Sequence, residues 1–390
     1  MKKVIEGSMA VAEAVKVCRP HVISAYPITP QTHIVENLSQ FVADGDLKSQ
    51  FVNVESEFGA ASVILGASAT GARAYSTTTS QGLLLMTEVL FNIAGLRFPV
   101  VITCANRAIS APINIWNDQQ DAMTIRDSGW IMLFAEDNQE AADMHLQAFK
   151  IGEHPEIMLP VMVNMDGFIL THAFEPIEFI DQKMADEFLP PFTPELYLTP
   201  KNPLTFGVLA EPDWYMETRY SLQKAIEASS DMIEEVADQF KKTFGRYQGG
   251  LVEKYRLDGA ETVIVSMGSV VGTIKEVVDA LRDKGKKVGV LKIRAFRPFP
   301  KEAIYDALKD VKNVIVMEKA ISLGTTGILY DEIKAALYGR ASQPRVSGFI
   351  AGLGGRDIPK ESIMKVIEKG ESEVSDNVFV DLKENLIGGK

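Results

Sequence analysis

Cysteine is nearly absent. Cys18 and Cys104 are the two among 390 residues, too few for disulfide stapling or for an iron–sulfur cluster held by this chain. No uninterrupted apolar run approaches the roughly 20 residues that a membrane span needs. Glu6 and Glu13 interrupt the N-terminal stretch MKKVIEGSMAVAEAVKV before it can act as a secretion signal. Positive charge is in deficit: 40 Lys and Arg against 52 Asp and Glu give a formal net charge of −12. That balance argues against broad contact with nucleic acid or an anionic membrane, and an anionic substrate would need a local arginine. The five histidines, His21, His33, His145, His154 and His172, show no metal-ligand spacing, so no metal site is expected from this chain alone. Internal repeats and low-complexity segments are also missing. A reducing cytoplasm is the compartment these absences fit.

What is present is ordinary globular material, 46% hydrophobic and 24% charged. The length predicts two or three domains. Runs at 21–25, 51–55, 73–78, 99–105 and 158–165 read as strands, and 31–43, 57–70, 80–96 and 138–150 as helices. That alternation predicts a parallel sheet covered on both faces. The helix at 57–70 is rich in Gly, Ala and Ser, which suits close packing within the domain or against another subunit. Prolines cluster from Pro176 to Pro212, reading as a connector arm, and a polar helical pattern runs from about 216 to Gly245. A second β-α-β-α-β unit follows, with KKVGVLKIRAFRPFP as one returning strand. Its turn Gly268-Ser269-Val270-Val271-Gly272 reads as a tight strand–helix turn, with an anion cradle as the alternative. The cluster Gly352, Gly354 and Gly355 is read the same way.

Four strand-to-helix junctions of the first sheet carry chemistry-bearing residues. In AYPITPQT two prolines stiffen an extended loop around Ile28 and Thr29. In VNVESEFGAA, Ser56 is placed to cap a helix whose first turn holds Glu57. Glu57 is either an ordinary first-turn acid or a carboxylate turned into apolar surroundings, where it needs a hydrogen-bond donor. YSTTTSQGLLLM ends a strand in hydroxyls before Ser80 and Gln81, which either cap the next helix or floor a ligand site. Arg107 follows a strand's C-terminal end, where open α/β sheets place ligands, and its fork suits a carboxylate. The dense polar run Asn117, Asp118, Gln119, Gln120 and Asp121 comes next, beside Trp116. This set holds no nucleophile–base pair and no histidine, so chemistry here requires a cofactor.

The motifs YPITP, ESEFGAA, TSQGLLLM and NRAISAPINIWNDQQD, with ILTHAFEPIEF and RPFP further on, resemble the α subunit of 2-oxoacid:ferredoxin oxidoreductases, most closely the pyruvate:ferredoxin type. The resemblance spans nearly the whole chain. It implies an α/β thiamine-diphosphate-binding fold: a pyrimidine-binding domain over 1–200, a connector arm and bridging helix over 201–258, and a transketolase C-terminal-like domain over 259–390. It implies that Glu57 hydrogen-bonds the cofactor's aminopyrimidine and favours the tautomer that takes the thiazolium proton. Pro27, Ile28, Thr29, Ser80 and Gln81 would line the cofactor. Thr29 and Arg107 would meet the substrate carboxylate, with Phe58 and Trp116 limiting space. Residues 117–121 match a mobile active-site loop, although Gln119 stands where many members carry a histidine, which bears on substrate selectivity.

The chain contains no Gly-Asp-Gly and no Cys-x-x-Cys. The resemblance therefore implies half an active site, with β-, γ- and δ-type subunits supplying diphosphate and Mg²⁺ binding, [4Fe–4S] clusters and further modules. CoA would be the co-substrate and ferredoxin the electron acceptor. The expected reaction is reversible oxidative decarboxylation of pyruvate, with branched-chain, aryl and 2-oxoglutarate-type acids as alternatives. Three rivals stand beside it: a non-catalytic scaffold subunit, a self-contained nucleotide-binding enzyme, and a complete transketolase-like enzyme.

Overall fold

The computed structural model describes residues 2–387. The first part runs β1 (Lys2–Glu6), α1 (Gly7–Val17), β2 (Val22–Ala25), α2 (Thr32–Ala43), β3 (Gln50–Asn53), α3 (Glu57–Ala69), β4 (Ala74–Thr78) and α4 (Ser80–Gly95). It continues through β5 (Val101–Asn106), α5 (Gln120–Thr124), β6 (Ile131–Phe134), α6 (Asn138–Gly152) and β7 (Val161–Asp166). An arm then carries β8 (Phe174–Glu178) and α7 (Gln182–Phe188) before the long α8 (Pro212–Phe244). The second part has β9 (Val252–Tyr255), β10 (Thr262–Ser266), α9 (Val270–Arg282), β11 (Val288–Ile293), β12 (Ala295–Arg297) and α10 (Lys301–Leu308). It closes with β13 (Asn313–Glu318), α11 (Ile328–Leu337), β14 (Arg345–Ile350), α12 (Lys360–Ser372) and β15 (Val378–Phe379).

Two sheets dominate. The first has the order β12-β6-β7-β5-β4-β2-β3 and the second β15-β14-β13-β10-β11-β9. All neighbours are parallel except β12 with β6 and β9 with β11. The central strands β4, β5 and β7 are buried along their whole length, as a parallel sheet covered by helices on both faces requires. The α/β reading and its strand–helix rhythm hold.

Local chemistry explains several boundaries. Ser56 is extended (φ −162°) and its hydroxyl accepts the Gly59 N–H at 3.2 Å, capping α3. Asp137 does the same for α6, accepting the Glu140 N–H at 2.7 Å. α8 starts at Pro212, earlier than the polar pattern suggested, because proline suits the first helical position. It stops at Gly245, whose φ of +74° ends the helix without a Cβ penalty.

One expectation needs correction. KKVGVLKIRAFRPFP is not one strand: β11 belongs to the second sheet, and β12 crosses to pair antiparallel with β6 at the edge of the first. The crossing residue, Arg294, is buried and held by Glu140 Oε1 (3.1 Å), the Gly250 carbonyl (3.0 Å) and Gln147 Oε1 (2.8 Å). Three satisfied contacts deep between the sheets bend the chain there. Part of 259–390 therefore completes the first sheet.

Candidate active site

The C-terminal ends of β2, β3, β4, β5 and β7 deliver Thr29, Glu57, Ser80, Arg107 and Asp166 to one edge of the first sheet. This is the crevice where open α/β sheets bind ligands.

Glu57 is buried, 7% exposed, although it sits in the first turn of α3. Its carboxylate accepts no hydrogen bond from any described residue. It lies against α4 at Gly82, where a Cβ would stand 2.7 Å from Glu57 Oε1 and 2.6 Å from Thr78 Oγ1. Glycine there lets the carboxylate occupy the space. Thr78 Oγ1, which crowds the same point, and Nε2 of Gln81, the residue before Gly82, are buried without a partner. Unsatisfied groups converging on one place mark a site for a polar ligand.

Ser80 carries backbone strain. Its φ is +49°, uncommon for a non-glycine residue, and it is fully buried. Its N–H donates to Asp121 Oδ2 at 2.9 Å, and its hydroxyl donates to the Ala108 carbonyl and lies 2.6 Å from Gln81 Oε1. A conformation costing about 1–3 kcal/mol persists only where its surroundings enforce it.

Arg107 is oriented by main chain. Nε donates to the Asn114 carbonyl at 3.0 Å, and Nη1 to the Thr29 carbonyl at 2.8 Å. Burial lowers its pKa from the ordinary guanidinium value, and Asp121 acts in the opposite direction. Thr29 and Arg107, both expected to meet the substrate carboxylate, are thus neighbours, joined through the Thr29 carbonyl; the Thr29 hydroxyl hydrogen-bonds no described residue. Of the five guanidinium N–H groups, these two bonds use two, and the rest remain for a ligand. Pro27 is exposed and Ile28 half-buried beside them.

The run 117–121, expected to be an active-site loop, is hydrogen-bonded along much of its length in this structure. Asn117, Asp118, Gln119 and Asp121 are all buried. Asp121 accepts N–H bonds from Ser80, Arg107 and Ala122 and from Asn106 Nδ2, at 2.7–3.0 Å. Burial raises its pKa, and these donors limit the rise. Burial pushes Asp118 up to about 7, against the N–H groups of Gln120 and Gly354 that favour its charged form. Gln119 faces the second sheet: its Nε2 reaches Asp166 Oδ1 at 3.3 Å, and a Cβ on Gly268 would meet that Nε2 at 2.6 Å. Its difference from histidine therefore bears on the contact between the sheets. Gln120 Oε1 accepts the Ile321 N–H, also across that contact. The exposed loop is 110–113, followed by Trp116 at 53% exposure. Phe58 is 42% exposed, so neither aromatic closes the site within this chain.

Sequence reasoning missed Asp166 and Lys319. Asp166 ends β7, and Lys319 follows β13 in the second sheet. Lys319 Nζ donates to Asp166 Oδ2 at 2.8 Å and to Asn117 Oδ1 at 2.9 Å, so the second unit braces the site from below. Burial alone would raise the Asp166 pKa, but Lys319 and Ser269 hold it below the ordinary carboxylate value. The Ser269 N–H also donates to Asp166 Oδ2 at 3.0 Å. The Gly268–Ser269 turn does cradle an anion, but that anion is the chain's own Asp166, which displaces the phosphate alternative. The turn at Gly354 holds the loop: its N–H donates to Asp118 and its carbonyl accepts from Asn114 Nδ2.

Comparisons with known proteins bear on this arrangement. Residues 13–238 match the family model described as pyruvate flavodoxin/ferredoxin oxidoreductase, thiamine diphosphate-binding, and residues 260–363 match pyruvate:ferredoxin oxidoreductase core domain II. The pyruvate synthase subunit PorA of Methanosarcina barkeri is 56% identical over 98% of this chain and 97% of its own length. That of Thermotoga maritima is 45% identical, covering 98% of each chain. The ketoisovalerate oxidoreductase subunit VorA of Pyrococcus abyssi is 43% identical over 95% of each. Among solved structures, the 2-oxoglutarate:ferredoxin oxidoreductase of Magnetococcus marinus aligns with a TM-score of 0.74 at 20% identity, covering 94% of this chain and 65% of that one. An inactive tetramer of a split-gene transketolase aligns at 0.55 and 13% identity, covering 95% and 99%. At those identities the structural likenesses speak for the fold.

Proposed function

The chain belongs to the pyruvate:ferredoxin oxidoreductase family, and from that premise we propose that it is the α-type subunit of a pyruvate synthase. The complex would convert pyruvate and CoA to acetyl-CoA and CO₂ with reduction of ferredoxin, and run in reverse. The observation that carries pyruvate is the 56% identity to a pyruvate synthase subunit across nearly the whole chain, against 43% to a ketoisovalerate oxidoreductase subunit. The latter relative favours a branched-chain 2-oxoacid as the second reading.

The residues present fit one end of thiamine diphosphate. Glu57, a largely buried residue, offers a carboxylate acceptor with no described donor, Gln81 Nε2 a buried donor, and Thr78 Oγ1 either role, which suits an aminopyrimidine. When bound, the cofactor supplies a carbon nucleophile and an electron sink for the 2-oxo carbon. Glu57 holds or gives the proton at the aminopyrimidine. Arg107, fixed by two main-chain carbonyls, binds the substrate carboxylate with its remaining donors, and the free Thr29 hydroxyl adds one more. Ser80 and Asp121 keep the strand ends, and hence these groups, in place.

The rest of the site comes from partners. With no Gly-Asp-Gly in the chain, a β-type subunit holds the diphosphate through Mg²⁺. The two cysteines are buried and free, so the [4Fe–4S] clusters belong to β- and δ-type chains, and a γ-type chain completes the complex. The outward sides of α3 and α4, with exposed Phe58, Ser62, Gly66, Leu85 and Phe91, are the surface we assign to the β-type partner. Residues 1–200 would form the pyrimidine-binding unit, 201–258 the arm and bridging helix, and most of 259–390 the transketolase C-terminal-like unit. Among the described residues no helix is long and apolar enough to cross a membrane, and we place the complex in the cytoplasm.

The test is CoA-dependent dye reduction by the native complex across a panel of 2-oxoacids. Pyruvate is expected to exceed 2-oxoisovalerate, 2-oxoglutarate and aryl pyruvates in kcat/KM by at least about tenfold, a difference of about 1.4 kcal/mol in transition-state binding. A ranking led by any other acid overturns the assignment to pyruvate.

A further inference from the structure

Three ligand-type side chains converge from separate elements outside the candidate active site. Glu6 ends β1, His33 is the second residue of α2, and His172 lies in the turn between β7 and β8. One ligand atom from each lies within 4.8 Å of the other two. The absence of metal-ligand spacing among the histidines could not reveal this set, because the three positions are 27 and 139 residues apart along the chain and meet only in the fold.

The arrangement is more specific than an ion pair. His33 Nδ1 stands 2.8 Å from Glu6 Oε1, which accounts for two of the three residues. The third is brought up from the other side, with the His33 and His172 rings 5.0 Å apart at 38°. His172 is also supported from behind. Its Nδ1 is 2.8 Å from Thr171 Oγ1, which accepts the Phe168 N–H at 2.8 Å, and the Phe168 ring lies 4.7 Å from the imidazole. Metal-binding imidazoles are usually held in this way through the nitrogen that does not ligate, which leaves Nε2 for an ion. No lysine or arginine pairs with Glu6 among the described residues, so its charge is offered to the two imidazoles alone.

We propose that Glu6, His33 and His172 form a divalent transition-metal site, a two-histidine, one-carboxylate set with an open fourth position for water. Metal–nitrogen and metal–oxygen bonds of about 2.0–2.2 Å put tetrahedral ligand atoms roughly 3.3 Å apart. Atoms already within 4.8 Å close that gap by small side-chain rotations. His33 is free to make them, with its side chain 46% exposed. Imidazole with a single carboxylate favours Zn²⁺, Co²⁺ or Ni²⁺ over Mg²⁺ or Ca²⁺, which prefer oxygen.

An ion here ties β1, α2 and the 167–173 turn together behind the Thr29 loop. α2 starts at the end of that loop, and Gly167 approaches it so closely that a Cβ would lie 2.7 Å from Pro30 Cγ. The site is a staple for the rim of the candidate active site and takes no part in the chemical step.

The experiment uses the full chain, stripped with chelator, titrated calorimetrically with Zn²⁺ and by visible absorption with Co²⁺. The expected result is one equivalent bound, a tetrahedral Co²⁺ spectrum, and a Zn²⁺-dependent rise in Tm. H33N and H172N each weaken binding at least about tenfold, as loss of a ligand should exceed the 10- to 100-fold cost of losing its supporting partner. H154N, remote from the cluster, leaves affinity unchanged. Circular dichroism establishes that the variants are folded. Absence of saturable binding, or equal affinity in the folded H33N/H172N double variant, overturns the proposal.

Discussion

At the scale of single residues, the candidate site is built from groups whose hydrogen-bonding capacity the chain itself leaves unused. Glu57 is the clearest: a buried carboxylate with no internal donor, given room by Gly82. A folded protein that only needed stability would gain by replacing it with an apolar side chain. Glu57→Gln keeps shape and polarity and removes the proton-transfer group. Turnover by the assembled complex should fall by about 10²–10⁴, the usual contribution of a positioned acid–base group. The pyruvate KM and the Tm of the isolated chain should change little, because no described residue donates to that carboxylate. Steady-state kinetics on wild-type and variant complexes decide it, and undiminished turnover would remove Glu57 from catalysis.

At the scale of elements, much of the site's frame was legible because it rests on local chemistry. Ser56 before Glu57 announces a capped helix, and the apolar runs ending at Ala25, Thr78 and Asn106 announce strands that deliver side chains to one edge. The anchoring of 117–121 was not legible. Its polar run without helical period declares a loop but not what holds it, and its partners are the main-chain groups of Ser80, Arg107 and Gly354, distant in sequence. β12 escaped for the same reason: three residues cannot declare by pattern that they pair with β6 rather than with their own sheet. The anchor has a pH signature. Asp118 titrates at about 7 inside the fold, above its ordinary 3.8, because burial disfavours its charge. The folded state thus binds a proton that the unfolded chain has released, so this contribution is full below about pH 4 and is lost as pH rises through 7. Glu318, also near 7, and Asp137, near 6, act in the same direction. Asp118→Asn keeps an acceptor for the Gly354 and Gln120 N–H groups without the titration. The fall in Tm of the isolated chain between pH 5 and 8 should be shallower in D118N than in wild type; an unchanged slope would show that the segment's burial does not control that carboxyl.

At the scale of the whole molecule, the two sheets are joined by charge buried between them. Lys292 reaches Glu140, Glu136 and Glu253 at 2.8–3.0 Å, Arg294 reaches Glu140, and Lys319 reaches Asp166 with side-chain exposures of 4% and 1%. Such pairs add little net stability over apolar packing, but breaking one is costly because the remaining charge is stranded. Lys319 is also the single described side chain of the second sheet that touches both Asn117 and Asp166, so it couples that unit to the floor of the site. Lys319→Ala should destabilise the chain by about 3–5 kcal/mol, the usual cost of an orphaned buried charge, read as a lower denaturant midpoint. Adding Asp166→Asn, which removes the stranded charge and keeps an acceptor for the Ser269 N–H, should restore a large part of that loss. The double-mutant cycle separates pairing from packing. If D166N/K319A is no more stable than K319A, then volume rather than charge holds the sheets together at this point, and the second unit supports the site by shape alone.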